Sequence, residues 1–256
     1  METLKKNKIA QLLKSGELFL ETDKSRSETD QFCRDLEPWR VVVEFENGTK
    51  TTDFARRDFM FNKFPMGKLR IFNRFLDLNT FQNKSVLDIG FNEGYHSIFF
   101  AKYLNCQVDA IDVLGSALTR AKKISQFLDL DINFSIDNAI TYRREEKYDL
   151  ILHLGTLYHL TDVSTAIKNA SDSLKDGGHL FLETITYEGK SEYDCQYLAG
   201  INNDSSNIWA LSVPTLDYMF AENGLSQVAH CRDIEVKLLK DTGMKRGLLI
   251  LSLIHI

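Results

Sequence analysis

From Ser85 onward the sequence predicts an α/β domain, a doubly wound parallel sheet covered by helices on both faces. Three observations carry this. Short β-prone runs alternate with segments whose apolar residues recur at helical spacing. The first run, "SVLDIG" from Ser85, passes through a turn with glycines at 90 and 94 directly into the apolar segment "YHSIFFA". A chain of 256 residues is also long enough to bury a large core without disulfides or metal.

Ahead of that domain, Ile9, Leu12, Leu13 and Leu18 give residues from about Asn7 to Phe19 one apolar helix face. Asn47-Gly48 stands between two β-prone runs in "RVVVEFENGTKTT" and marks a hairpin whose two turn positions both take positive φ. The stretch "ARRDFMFNKFPMGKLRIFNRF" mixes Arg56, Arg57, Lys63, Lys68, Arg70 and Arg74 with aromatics, as a solvated helix face over core phenylalanines does. Met1 to about Thr80 therefore reads as a helical and hairpin extension, and residues 81–256 as the main domain.

The strands of the main domain are "SVLDIG", "QVDAIDV", "INFSID", "YDLILHLG" and "GGHLFLETI". Ala117, Ala121, Ile124 and Leu128 line one helix between them. Val163, Ala166, Ile167, Ala170 and Leu174 line another, stopped by Lys175-Asp176-Gly177-Gly178. "PTLDYMFAENG" opens a further helix at Pro214-Thr215 and closes it at Gly224, and two strands follow at about 227–236 and 246–253.

Composition narrows the function. With 31 Lys and Arg against 36 Asp and Glu, the net charge is -5, so no DNA partner is expected and the acidic balance leans away from RNA. The four cysteines, Cys33, Cys106, Cys195 and Cys231, show no metal-ligand spacing and fit reduced thiols in the cytoplasm. The N-terminus has no continuous apolar signal region, and no run is long enough to span a membrane. The last six residues, "LSLIHI", are what the standard code gives for CTGTCTCTTATACACATC, the transposon end used as a sequencing adapter. Leu251 to Ile256 are read as adapter read-through and set aside from functional argument.

The glycine turn is the chemical centre. A helix that starts directly after a strand offers unpaired N–H groups to a ligand, and glycine lets that ligand approach the backbone. Gly90 and Gly94 are so placed, with Asn92 between them where a left-handed residue is tolerated. The dinucleotide pattern G-x-G-x-x-G is not met, which disfavours a nicotinamide enzyme. Asp88 ends the first strand, positioned to receive a ligand ammonium. Asp112 ends the second at the interval expected of an acid that binds a ribose diol, and Asp109 competes on spacing but lies mid-strand.

"VLDIGFNEG" followed by "AIDV" resembles motifs I and II of the class I S-adenosylmethionine-dependent methyltransferases. That resemblance covers about two thirds of the chain. It implies a Rossmann-like, seven-stranded sheet of order 3-2-1-4-5-7-6 with strand 7 antiparallel, and S-adenosyl-L-methionine as cofactor. It also implies that Gly90 and Gly94 line the methionine part, that Asp112 binds the ribose hydroxyls, and that Asp137, in "SIDNA" beside Asn138, accepts the adenine amino group. More narrowly, "GYHS" and "LHLGTLYHLTDVSTAIKNASDSLKDGGHLFLETI" look like the tRNA wobble-uridine methyltransferase-like and carboxymethyltransferase family. The acceptor implied is a small molecule or tRNA.

In methyl transfer the leaving group is good, so the protein mainly positions the nucleophile and excludes water. A hydroxyl acceptor adds the need for a base. His153, Tyr158 and His159 on the fourth-strand loop, and Glu183 at the end of strand five, are the candidates, with His159 as base and Tyr158 shaping the donor pocket. Asp137-Asn138 is a pair that some metal-dependent O-methyltransferases use, but the adenine role accounts for it and no metal is expected. Two rivals stand beside methyl transfer. One is carboxymethyl transfer from a carboxylated donor to tRNA wobble uridine, which needs a cation such as Lys68, Arg70 or Arg246. The other is a non-catalytic protein that binds an adenosyl ligand.

Overall fold

The computed structural model describes residues 9–14, 18–39, 42–54, 64–145, 147–187, 191–198, 205–234 and 244–253. Arg56, Arg57 and Lys63 of the aromatic and basic stretch fall outside these residues. The main sheet grows from alternating apolar strings. β3 (Ser85–Ile89), β4 (Gln107–Asp112), β5 (Asn133–Ile136), β6 (Tyr148–Leu154) and β7 (Leu174–Tyr187) run parallel. β10 (Leu225–Ile234) and β11 (Met244–Leu253) complete the sheet in the order β10-β11-β7-β6-β3-β4-β5. β11 is antiparallel to both its neighbours, so the expected order and its single reversed strand are present.

Side chains alternate across the sheet with the period of two that a pleated strand imposes. Leu150 and Leu152 of β6 join Val86, Val108 and Phe181 in one apolar cluster. Ile151 joins Leu87, Ile89, Leu180 and Leu182 in a second, on the other face. The first face is covered by α2 (Phe64–Phe75) and α3 (Tyr95–Leu104), the second by α5 (Val163–Asp172) and α6 (Val213–Glu222), while α4 (Gly115–Phe127) packs on β4 and β5. The apolar stripes expected for α4 and α5 are buried. Asp162 caps α5 on the Thr165 amide, and Ser212 caps α6 on the Thr215 amide.

Several expectations are corrected. The first helix, described over 9–14, does not run on to Phe19: Leu18 belongs to a strand, β1 (Leu18–Leu20), which pairs in parallel with β2 (Val43–Phe45). The Leu-Phe-Leu alternation buries Leu18 and Leu20 while Phe19 is half-buried, a strand pattern that the helical spacing from Ile9 had absorbed. At Asn47-Gly48 only Gly48 takes positive φ, at 86°. Gly48 N–H bonds the Phe45 carbonyl at 2.9 Å and Phe45 N–H bonds the Thr49 carbonyl at 2.8 Å, the pattern of a three-residue loop with a left-handed glycine, and the return arm is a single bridge, Glu44 to Lys50. α5 ends at Asp172, so Gly177, at φ 71°, shapes the irregular start of β7 and does not stop the helix.

The N-terminal residues share the core of the sheet. Ile9, Leu18, Leu20, Trp39 and Phe45 lie in the same cluster as Phe99, Leu150 and Phe181. α1 (Arg26–Asp35) opens with a capping box between Ser25 and Glu28. The Tyr103 hydroxyl donates to the Phe19 carbonyl, and Arg120 of α4 donates to the Leu36 carbonyl while lying over the Trp39 ring. At the far end, Leu251 and Ser252 pair with Leu180 and His179 on one side and with Gln227 and Ser226 on the other, so half of the closing hexapeptide completes β11. A shared core predicts one cooperative unfolding transition. Leu20→Ala is expected to move all of it by about 2 to 5 kcal/mol in urea denaturation, without splitting off an early phase.

Candidate active site

The site begins with the turn between β3 and α3. Gly90, Asn92 and Gly94 all have positive φ, at 78°, 51° and 75°, so Asn92 takes the left-handed place where the dinucleotide motif has glycine. Three carboxylates fasten this turn. Asp112 Oδ2 accepts from the Asn92 amide at 2.9 Å, while its Oδ1 accepts from the Leu114 amide at 3.0 Å. Asp88 Oδ2 accepts from the Ser97 amide at 3.1 Å and the Ser97 hydroxyl at 2.6 Å. Glu93 pairs with Arg120 at 2.9 Å.

Beyond the strand ends lies a cavity of about 580 Å³ whose wall includes Gly90, Asn92, Asp112, Asp137, Asn138 and His159. These residues come from β3, β4 and the segments after β5 and β6, which is where an open parallel sheet gathers ligand-binding groups. Sequence reasoning missed Ile140, Thr156, Leu160 and Ser206 in the same wall. Only Thr156 left a signal, since it follows a glycine at a strand end. Its hydroxyl donates to the Ile89 carbonyl at 3.1 Å and occupies the space a Cβ on Gly90 would need. Gly90 is therefore required by protein packing as well as by its φ.

Four expected residues stand elsewhere. Gly94 caps α3 outside the cavity wall, and a Cβ there would meet the Phe134 ring at 3.0 Å and Ala121 at 3.3 Å, so packing keeps that position small. Asp88 is 2% exposed, behind the turn, with one carboxylate oxygen committed to Ser97. His153 is 1% exposed inside β6, away from the cavity wall. Tyr158 is buried among Ile185, Leu198 and Ala210.

The Tyr158 hydroxyl nonetheless borders the site. A Cβ on Gly155, itself in the cavity wall, would lie 3.1 Å from Glu183 Oε2, 3.4 Å from Lys68 Nζ and 3.6 Å from the Tyr158 hydroxyl. Lys68 and Glu183 form an ion pair of 2.7 Å, both buried. Their sequence separation hid this pairing, although each residue alone drew attention. The cavity thus has a carboxylate and amide end, at Asp112 to Asn138, and an opposite end where Gly155 thins the wall over a buried ion pair. His159 lies in that wall on a single 3-10 turn, Leu157–His159, with Nδ1 3.0 Å from both the carbonyl and the hydroxyl of Ser206.

A family profile described as a methyltransferase domain matches residues 56–230. The chain belongs to that family. Among its curated relatives, the tRNA U34 carboxymethyltransferase of Campylobacter hominis is 28% identical over 223 residues, which cover 86% of this chain and 72% of that protein. The match spans only 56% of the like-named protein of Nautilia profundicola. The ubiquinone biosynthesis O-methyltransferase of Coxiella burnetii is 32% identical over 113 residues, 44% of this chain and 48% of that one. In fold, this methyltransferase resembles the N-terminal domain of EvdMO1, solved in the presence of SAH and D-fucose, with a TM-score of 0.67 over 91% of this chain and 98% of that one at 16% identity.

S-adenosylmethionine is the methyltransferase's cofactor, and the residues present suit it. The cavity wall brings the Gly90 to Asn92 backbone together with the Asp112 and Asp137 carboxylates and the Asn138 amide, groups able to accept from hydroxyl and amino groups. Among the described residues, no cluster of three or more His, Cys, Asp and Glu side chains is placed to hold a metal ion.

Burial sets two opposed titrations beneath the site. Loss of solvent pushes His153 down to about 4 and Asp88 up to about 6, with the Ser97 hydrogen bonds opposing the latter shift. Between about pH 6.5 and 4 the unfolded chain binds the extra proton at His153, so this histidine removes about 3 kcal/mol of stability as pH falls. Between about pH 4 and 6 the folded chain holds the extra proton at Asp88, so that carboxylate removes stability as pH rises. The two nearly cancel. In urea denaturation across this range, His153→Leu should lose stability with rising pH and Asp88→Asn should gain it, each relative to the unaltered protein.

Proposed function

We propose that the chain methylates a hydroxyl group of its acceptor, with His159 as the base that removes the hydroxyl proton. When bound, S-adenosylmethionine supplies a sulfonium-activated methyl group and a good leaving group. The chain's own residues do the rest. In this reading Asp112 accepts from the ribose hydroxyls, and Asp137 with Asn138 meets the adenine edge. The turn from Gly90 to Asn92 follows the methionine part.

The observation that carries the reading is the placement of His159 in the same cavity wall as Asp112, Asp137 and Asn138. The Ser206 carbonyl only accepts, so it selects the tautomer with hydrogen on Nδ1. Nε2 is then left with the lone pair that a base requires. The ordered 3-10 turn fixes the ring, and Leu160 and Ile140 add apolar wall that excludes water. A cytoplasmic setting accords with Cys33, Cys106 and Cys195 as free thiols.

A second reading, carboxymethyl transfer to tRNA, draws on the name of the Campylobacter hominis relative and on the Lys68 ammonium beneath Gly155. Mass spectrometry of ligand carried through purification separates the two, since the donors differ by a carboxylate.

Asp112→Ala is expected to weaken S-adenosylhomocysteine binding by about 1 to 3 kcal/mol in titration calorimetry. Unchanged affinity removes Asp112 from the ribose role. With methyl-labelled S-adenosylmethionine and fractionated cell extract as acceptor source, label should enter an alkali-stable ether, and His159→Ala should slow transfer by roughly a hundredfold to ten-thousandfold while leaving S-adenosylhomocysteine affinity unchanged. Full transfer by that variant would exclude His159 as the base.

A further inference from the structure

The acceptor side of the cavity borders an insertion absent from the strand and helix pattern read in the sequence. After β7 the chain forms a two-stranded ribbon, β8 (Cys195–Tyr197) and β9 (Trp209–Leu211), attached to the main sheet where Leu211 pairs with Thr186. The ribbon is fastened to the catalytic turn. Ile208 N–H donates to the Tyr158 carbonyl at 2.8 Å, and Ser206 holds His159. Ser206 lines the cavity and stands three residues before Trp209, so the chain itself keeps Trp209 within about 10 Å of the cavity wall.

This insertion presents aromatic rings in pairs. Tyr197 and Trp209 are directly opposed across the ribbon, and their rings meet edge to face at 5.3 Å. Tyr197 is 67% exposed and Trp209 half-buried. Tyr193 and Tyr218, the latter on α6, form a second pair at 6.3 Å, and both are exposed. Single exposed aromatics are ordinary surface residues, but a contacting pair held within reach of a cavity, as Tyr197 and Trp209 are, forms a surface of a kind that binds ligands. The same segment is strongly acidic: residues 188–229 hold six acids, Glu188, Glu192, Asp194, Asp204, Asp217 and Glu222, against one lysine, Lys190, and no arginine.

We propose that Tyr197 and Trp209 form a stacking platform for an uncharged sugar ring of the acceptor. This rests on the reading of the cavity as a hydroxyl methyltransferase site. Aromatic faces also stack nucleobases, but nucleic-acid binders accompany that stacking with lysine and arginine along the phosphates. A segment with six acids to one lysine repels a polyanion. A sugar carries no charge, lays its C–H face on an aromatic ring, and donates hydroxyl hydrogen bonds that carboxylates accept. It also brings the hydroxyl that His159 would deprotonate.

The chain has two tryptophans, and Trp39 is 1% exposed, so a change in emission on adding sugar reports on Trp209. The full chain, with and without saturating S-adenosylhomocysteine, is titrated with D-fucose, D-glucose and their methyl glycosides, and separately with a tRNA transcript at physiological salt. Saturable quenching or a blue shift is expected with at least one sugar and none with the transcript. Trp209→Phe should abolish the signal. Tyr197→Ala should weaken sugar binding tenfold or more while leaving S-adenosylhomocysteine affinity in calorimetry unchanged. Silence toward every sugar, or a saturable response to the transcript that Tyr197→Ala removes, overturns the platform. Failure of S-adenosylhomocysteine to bind would instead bring down the methylation reading, and the sugar titrations without it still decide the platform.

Discussion

The structure depends on fixing a turn that no ordinary sequence would hold. From Gly90 to Gly94 the backbone takes positive φ at three of five positions, a conformation held only where its surroundings over-determine it. The restraint is carboxylate chemistry from three directions. Asp88 reaches forward from β3 to the first turn of α3, Asp112 reaches across from β4 to Asn92, and Glu93 reaches from the turn itself to Arg120 on α4. Each is buried, and each charge or polar oxygen lost there would leave a donor unmet in a region where unmet groups are costly. Arg120 extends the restraint to Leu36 and Trp39, which ties the turn to the N-terminal residues and explains why those residues share one core with the sheet.

The far end of the cavity uses a different device. Lys68 from α2 and Glu183 from β7 neutralise one another out of water, a pairing whose desolvation cost makes it weak evidence for stability. Removing either partner would strand a buried charge, so the pair sets where α2 can lie against the sheet. Gly155, at φ 89°, passes over it without a side chain, and the nearest polar groups beneath the cavity at that point are the pair and the Tyr158 hydroxyl. Both ends therefore rely on glycine with positive φ, one beside amide donors and the other above an ion pair.

The alternation of strands and helices, the Gly90 to Gly94 turn and Asp112 closing its strand were legible from local signals, whereas the strand order, the reversed last strand and the place of Asp137 followed only from the family resemblance. Gly94 was misplaced because the same requirement for a small residue arises from packing, here against Phe134, as from ligand approach. Leu18 was drawn into a helix although it stands five places beyond Leu13, about 140° round a helix and off the face of Ile9, Leu12 and Leu13, so the spacing itself argued for a break before it. The Lys68 to Glu183 pair and the His159 to Ser206 contact were illegible for a different reason. They join elements distant in sequence, and no spacing encodes which strand end a remote helix will meet.

The two halves of the cavity also differ in how firmly the fold holds them. Asp112 stands at the end of a strand paired on both sides, and the Asp137 amide bonds its carbonyl, so the carboxylate end inherits the rigidity of the ladder. The His159 end rests on a three-residue 3-10 turn and a ribbon joined to the sheet by one bridge, Thr186 to Leu211. Elements with so few shared hydrogen bonds can be rebuilt without disturbing the strands. That asymmetry fits relatives with names as different as a tRNA U34 carboxymethyltransferase and a ubiquinone biosynthesis O-methyltransferase. Under the proposed reading, the loops after β6 and β7 would carry the choice of acceptor while the sheet would hold only the donor.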